Sequence, residues 1–451
     1  MSRQEVQSSL PSEEVMLAAF REQSRLVIAE SERFRKVGHK VLFGIEVEYG
    51  IVDSGYVQAS EADRNSIIQD HPDYLDTELG ASQLEMRTEP LDLVSDPSTV
   101  LSQLVQRDNE IRESVASRGL KLVSHGTNPF VPTMGIVRSS LPKYKLVPDH
   151  HNSSRRKDLQ TVVGTQEFVD VGDAAIIGIT NSVQANIEAF DDEDAIDKLN
   201  RSLQIGPMAL SLFGNARFLE TKDTGIQDIR MIGWGLSHDT RSESDMANGE
   251  VTRVGLPLDY YGSLSDYFAE IEKYPFILDA PEAALSVGIG LHWRDTRIKV
   301  VDDSLVVEFR PVSTQATPSE NFAAMMFYTG RLLWSQQNNE EVLTMQQVKE
   351  NREAAMLLGS RAELWTKVDN IAFKLPSFEA MRYEIVRAAR GLKAAGIDGR
   401  TIDETVGFLE HRNRMGNPSA CLAEARHRHM LKGEKSLGAL ALSLQDTKGI
   451  S

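Results

Sequence analysis

The chain has 451 residues, with 49 Lys and Arg against 66 Asp and Glu and a formal net charge of −17. A field of that sign repels phosphodiester backbones and anionic lipid, which excludes a broad grip on nucleic acid or a membrane surface. The single cysteine, Cys421, excludes an intrachain disulfide, a thiolate zinc site and a CxxC redox pair.

No apolar run reaches the roughly 18–20 residues of a membrane span. The opening MSRQEVQSSLPSEEVM lacks the basic-then-apolar order of a signal peptide and is too acidic for a transit peptide. The expected setting is the cytoplasm and the expected partners are small molecules, with a homo-oligomer compatible with the composition.

In chain order, the spacing of Met16, Ala19, Phe20, Leu26 and Val27 predicts an amphipathic helix over 12–36, capped by Ser12. A strand follows at 41–53, then a polar loop with a short helix at 54–76. A second alternating segment spans 81–90, and Asp96-Pro97 opens a helix to about Arg118. Residues 120–130 read as a strand ending in a turn at Gly126. From 131 to 163 the pattern is irregular and basic, with Arg138, Lys143, Lys145, Arg155, Arg156 and Lys157. Asp149-His150-His151 reads as a solvated turn within it.

The next strand is 180–190, followed by a helix whose acidic start at 191–197 suits the positive dipole end and which Pro207 is expected to kink. A second long segment, 214–262, is rich in Gly, Arg and Asp. Residues 286–312 hold two strands around a turn at Asp302-Asp303, with His292-Trp293-Arg294 read as half-buried strand packing. Beyond Ser319 the strong periodicities are helical, at 319–336, 339–358, 377–395 and 401–411, so the last quarter reads as a helical layer.

Four strands share one peculiarity. Side chains at i and i+2 lie on one strand face. Glu46 and Glu48 therefore oppose Ile45, Val47, Tyr49 and Ile51, and Gln83, Glu85, Arg87 and Glu89 oppose Leu84 and Met86. Gln184, Asn186 and Glu188 oppose Val183, Ala185 and Ile187, while Glu308 and Arg310 oppose Val307, Phe309 and Pro311. An antiparallel sheet with one face in water would give the same alternation. However, such a face usually mixes in Lys, Thr and Ser, and these polar faces hold Glu, Gln, Asn and Arg.

Neighbouring carboxylates repel by roughly 4 kcal/mol at 4 Å and intermediate dielectric, a penalty that cations between them remove. Glu46, Glu48, Glu85 and Glu308 are hard oxygen donors without His or Cys, the set that suits Mg²⁺ or Mn²⁺. Carboxylate-held Mg²⁺ is commonly completed by substrate phosphates, so ATP is the expected co-substrate, with Arg310, Arg230, Arg87 and the basic loop to balance it. The chain has no GxxxxGK[ST] loop and no GxGxxG run after a strand.

GIEVEYGIVD (44–53), TELGASQLEMRTEP (77–90), SVQANIEAF (182–190), PMALSLFGNARFLE (207–220), DIRMIGW (228–234) and VVEFRP (306–311) occur in the order found in glutamate–cysteine ligases. Over roughly 36–425 the chain resembles the plant-type and related bacterial carboxylate–amine ligases. MRYEIVRAARGLKAAGID and GNPSACLAEA resemble that family's closing helices. The resemblance implies an α+β fold akin to glutamine synthetase, in which a curved antiparallel sheet forms a funnel backed by helices. It divides the chain into an N-terminal helix (1–37), an ATP-dependent ligase core (38–335) and a C-terminal helical region (336–451).

It also implies that ATP phosphorylates the γ-carboxylate of glutamate and that an amine, by default cysteine, attacks the acyl phosphate. By the same resemblance, Glu46, Glu48, Glu85, Glu308 and Glu78 match metal-binding carboxylates. Gln184 and Asn186 lie beside the metals or nucleotide, and Arg230 and Arg310 hold the substrate carboxylate and transferred phosphate. The cysteine pairs of the plant type have no counterpart, so no disulfide switch is expected. Two alternatives follow: the same chemistry on another amino acid, a peptide or a carrier-tethered acid, with 131–163 and 214–262 docking the acceptor, or a non-catalytic paralogue that binds nucleotide or amino acid.

Overall fold

The computed structural model describes residues 11–36, 42–92, 97–276 and 279–449. The expected strand start at 41, the Asp96 helix opening and the 37/38 boundary lie outside these residues. The elements that build the site are, in order, α1 (Glu13–Ala29), β1 (Leu42–Val52), β2 (Leu75–Thr77), β3 (Gln83–Arg87), α2 (Pro97–Ser117), α3 (Pro142–Ser154) and β4 (Val183–Glu188). They continue with α4 (Asp192–Phe213), α5 (Ile229–Ser237), α6 (Ala284–Gly290), β5 (Thr296–Val301), β6 (Ser304–Phe309), α7 (Pro318–Gln337) and α8 (Met345–Leu358). A hairpin of β7 (Glu363–Val368) and β8 (Ile371–Pro376) precedes α9 (Ser377–Ala395) and α10 (Gly399–Met415).

The main sheet is antiparallel and curled into a half-barrel, in the order β5-β6-β4-β1-β3-β2, with two short strands also on β1. Its apolar face is the one the alternation implies. Ile45, Val47, Tyr49, Leu84, Met86, Val183, Ala185 and Phe309 are buried in one cluster with Leu104 of α2, Leu210 of α4, Met325 of α7 and Met381 of α9. Phe309 stacks on Tyr328 with ring centroids 3.8 Å apart. Because apolar side chains occupy one face, the acidic ones are forced together on the other.

Helix starts follow local chemistry. Ser12 accepts the Val15 N–H, Asp191 accepts the Asp194 N–H, and Thr317 with Glu320 forms a capping box for α7. α4 runs continuously past Pro207.

Four expectations need correction. The 131–163 segment is not irregular throughout: α3 starts with Pro142 at its first turn and continues past Pro148. Asp149-His150-His151 is therefore helical, and His151 is buried with its ring 4.6 Å from His238 and 5.3 Å from Trp293. His292-Trp293-Arg294 lies between α6 and β5 and is buried, not half-buried on a strand, with Arg294 Nη2 2.7 Å from Glu270. Finally, the helical last quarter contains the β7–β8 hairpin, whose turn residues Asp369 and Asn370 both take positive φ.

Candidate active site

A groove of about 650 Å³ opens on the polar face of the sheet. Its floor carries Glu46 and Glu48 from β1, Glu85 from β3, Gln184 from β4, and Glu308 with Arg310 at the end of β6; Glu78 enters from the loop before β3. β-pairing sets this convergence. Glu48 stands directly opposite Glu85, Glu46 opposite Gln184, and Glu308 opposite Asn186. Like charges face one another across a strand pair, an arrangement that destabilises an isolated sheet.

Glu78 is held by a tight crossing. A Cβ added at Gly80 would lie 1.9 Å from the carbonyl oxygen of Gly178, so only glycine lets these two backbones pass. The same loop receives Arg64, buried, whose Nη1 donates to the carbonyls of Glu78 and Gly80 at 3.3 and 3.0 Å.

Two groups of carboxylates emerge. Glu48, Glu78 and Glu85 each bring a carboxylate oxygen within 4.8 Å of the others. Among the described residues none of the three has a cationic side chain within ion-pair distance. Burial pushes Glu48 up to about 7, with Glu78 adding to it, while Arg310 and the Ser182 N–H pull the other way. Burial raises Glu85 well above the carboxylate range, aided by Glu46 and Glu78, and burial raises Glu78. Glu48 is oriented by Ser182, whose N–H and hydroxyl donate at 2.6 and 2.9 Å, and by Gln184 Nε2 at 3.1 Å.

The second group is already neutralised. Glu308 is paired with Arg297, with Arg310 at 2.5 Å and with Lys299 at 2.9 Å, and Lys299 also reaches Glu46 at 3.4 Å. Burial opposes ionisation of Glu308, but Arg297, Arg310 and Lys299 outweigh it and hold the carboxyl well below its usual range.

Arg310 also donates to Gln184 Oε1 at 3.0 Å, so Gln184 links the two groups through its two amide ends. Three hard oxygen donors with no cation of their own form a setting that fits a Mg²⁺- or Mn²⁺-sized ion, and the residues of this site suit such a group.

The other expected residues divide. Asn186 lies on the same face beside Glu308, its Oδ1 buried without a partner. Arg230 does not line the groove. It is buried on α5, and its Nη2 donates to the carbonyls of Arg310 and Pro311 at 3.2 and 2.6 Å, which fixes the chain just after β6. Arg87 is exposed and paired with Asp76 at 3.5 Å, away from the groove. Of the basic loop, Lys143 lines the groove, whereas Arg138 is paired with Asp149 and Arg156 with Asp158.

Arg297 and Lys299 are groove residues absent from the sequence expectation. Their signal was available: they are i and i+2 on β5, and Arg297 pairs in register with Glu308. The far wall is apolar, with Leu146 and Val147 of α3, Val287 of α6, and Trp234 and Trp293, whose rings meet edge-on 5.9 Å apart. A larger cleft of about 1350 Å³ lies among α7, α9, α10 and the β7–β8 turn. It shares no lining residue with the groove and, among the described residues, has no converging carboxylate set.

The model of the glutamate–cysteine ligase family 2 matches residues 42–359, a span that carries every groove glutamate. The chain belongs to that family. A Gloeobacter violaceus protein described provisionally as glutamate–cysteine ligase 2 is 24% identical over 192 residues, covering 42% of this chain and 45% of that relative. The match thus spans under half of the relative's length.

Among solved structures, a glutamate–cysteine ligase from Francisella tularensis in complex with AMP superposes with a TM-score of 0.53 at 13% identity, covering 92% of this chain and 90% of that one. A bifunctional glutathione synthetase from Pasteurella multocida gives 0.50 at 11% identity, covering 90% and 52%. At these identities the likeness is one of fold. It agrees with the expected α+β architecture built on a curved antiparallel sheet. Among the described residues no helix is long and apolar enough to cross a membrane.

Proposed function

We propose that this member of the family is an ATP-dependent carboxylate–amine ligase, with glutamate as the donor acid and cysteine as the default acceptor. A carboxylate oxygen of the donor attacks the γ-phosphorus of ATP and ADP leaves. The amine nitrogen then attacks the acyl carbon, phosphate leaves, and the nitrogen loses its proton to the phosphate or a groove carboxylate. The observation that carries this reading is the triad of Glu48, Glu78 and Glu85, an acidic cluster with no ion-paired cation among the described residues, beside a cluster that has three.

A divalent ion held by that triad supplies charge neutralisation and alignment for the phosphate oxygens. Glu46 and Glu308 complete the acidic wall. Arg310, fixed by Glu308 and Gln184, offers its guanidinium to charge that spreads onto the transferred phosphoryl oxygens. Gln184 keeps the Glu48 carboxylate turned toward the triad, and Arg230 supports the backbone under Arg310. Lys143, which also lines the groove, adds a cation whose field acts on Glu78.

The apolar wall of Trp234, Trp293, Leu146, Val147 and Val287 favours a second reading of the same chemistry, with an acceptor amine bulkier and more apolar than cysteine. Incubating the protein with Mg²⁺, ATP, glutamate and a panel of amines, and following ADP and product mass, tests both readings. ADP release that requires both acid and amine, with a γ-glutamyl amide as product, supports the ligase. Absence of any acid- and amine-dependent ADP release across the panel rejects it.

A further inference from the structure

The cations of the groove are unevenly shared among its five glutamates. Two carboxylates, Glu46 and Glu308, are ion-paired with Lys299, Arg297 and Arg310, whereas among the described residues Glu48, Glu78 and Glu85 have no cation within ion-pair distance. Lys299 occupies a particular place in this division. Its ammonium lies 3.4 Å from Glu46 Oε1 and 2.9 Å from Glu308 Oε1, bridging carboxylates from β1 and β6, two strands separated by β4. Both arginines contact the other oxygen of Glu308, Oε2. Among the described residues, Lys299 is the cation recorded on the two Oε1 atoms. A bridge between two carboxylate oxygens of different strands is the position in which an acidic groove otherwise takes a divalent ion.

We propose that Lys299 is a resident cation that substitutes for a divalent ion between Glu46 and Glu308, and so confines metal binding to the Glu48–Glu78–Glu85 triad. This inference rests on the ligase reading above and deepens it. A divalent ion entering beside Glu308 would displace the ammonium and meet two guanidinium groups in ion-pair contact with that carboxylate, whereas at the triad the nearest charges are three carboxylates with no cation at ion-pair distance among the described residues. The ammonium has three N–H donors, and the two carboxylates use two of them. The third is available to a phosphate oxygen, so Lys299 does part of the work of a metal without dissociating. The i,i+2 spacing of Arg297 and Lys299 on β5 puts both cations on this face.

Counting Mn²⁺ equivalents on the full-length protein, by calorimetry or by the paramagnetic signal of free Mn²⁺, tests this. Glu85→Gln is expected to weaken Mn²⁺ binding by about 10-fold or more. Glu46→Gln leaves the number of equivalents as in the wild type. Lys299→Met frees the two Oε1 atoms and gains one equivalent, which is lost again in the Glu46→Gln, Lys299→Met double variant. Lys299→Arg, which keeps the charge, gains none. Circular dichroism melting checks that each variant is folded.

If the wild type binds Mn²⁺ but Glu46→Gln removes an equivalent, or folded Lys299→Met adds none, the inference alone is overturned. A wild type that binds no Mn²⁺ overturns the metal-dependent ligase reading and takes this inference with it. Should Lys299→Met not fold, Glu46→Gln decides: unchanged stoichiometry supports the inference and a lost equivalent rejects it.

Discussion

The triad should make the metal-free protein less stable than it could be, and Glu85→Gln measures by how much. Burial and the neighbouring glutamates raise the Glu85 carboxyl well above 4.5 in the fold, whereas in the unfolded chain it ionises near 4.5. The fold therefore holds a proton that the unfolded chain releases, and stability falls as pH rises above 4.5. Each pH unit above 4.5 over which the folded chain keeps that proton lowers stability by about 1.36 kcal/mol. Glutamine has the shape of the neutral carboxyl and removes that term. For a chain of 451 residues, with an unfolding entropy of about 2.1 cal/mol/K per residue, each kcal/mol so recovered makes the variant melt about 1 °C higher at pH 7 in EDTA. The gain should fade toward pH 4.5, and Mg²⁺ should stabilise the wild type but not the variant. Differential scanning calorimetry across pH, with and without Mg²⁺, reads all three effects. A variant that melts lower in EDTA at pH 7, or whose gain does not change with pH, would refute the like-charge cluster.

Further outcomes follow from the geometry. Arg310→Ala should lower kcat/KM for acid- and amine-dependent ADP release by about 100- to 1000-fold, the usual loss of one preorganised charge-stabilising group, while Arg310→Lys recovers part of it; steady-state kinetics decide. Burial holds His238 down to about 3 and keeps it neutral in the fold, while the unfolded imidazole takes a proton below about 6.5. Stability attributable to His238 is thus lost as pH falls from about 6.5 toward 3, and His238→Gln should reduce the pH slope of urea-unfolding stability near pH 5 by roughly 1.4 kcal/mol per pH unit. The difference between variant and wild type is the readout, because the raised glutamates contribute a slope of opposite sign. Gly80→Ala forces a Cβ onto the Gly178 carbonyl and should cost about 1–3 kcal/mol of stability while weakening Mn²⁺ binding through Glu78; calorimetry measures both.

The two-faced strands were legible because a sheet covered on one side by helices writes its architecture in a period of two. Glu46, Glu48, Glu85 and Glu308 follow that period, and their apolar alternates are buried against α2, α4 and α7. Gln184 follows the same period on its strand, whereas Glu78 came from the family resemblance, since nothing in its spacing says which way a loop carboxylate turns. Arg297 and Lys299 obey the same period but were overlooked, because β5 was read only as one arm of a hairpin. Arg230 was carried over as a residue type, and spacing alone did not reveal that its guanidinium would donate to the backbone carbonyls just after β6.

α3 was hidden by Pro148, which argues against a helix interior on local grounds, yet tertiary packing of His151 against His238 and Trp293 overrides it. The β7–β8 hairpin was marked by Asp369-Asn370, a pair that tolerates positive φ at both central turn positions, between alternating segments.

The hairpin joining β5 to β6 turns through only Asp302 and Asp303, with Val301 opposite Ser304. That small loop governs the electrical character of a chamber it never touches. Inserting one residue there would rotate β5 by half a period, swinging Arg297 and Lys299 toward the helices and exposing Ile298 and Val300 to the glutamates. Drift in a surface corner could thereby convert a lysine-tempered cavity into one that demands more metal, without altering a single acid.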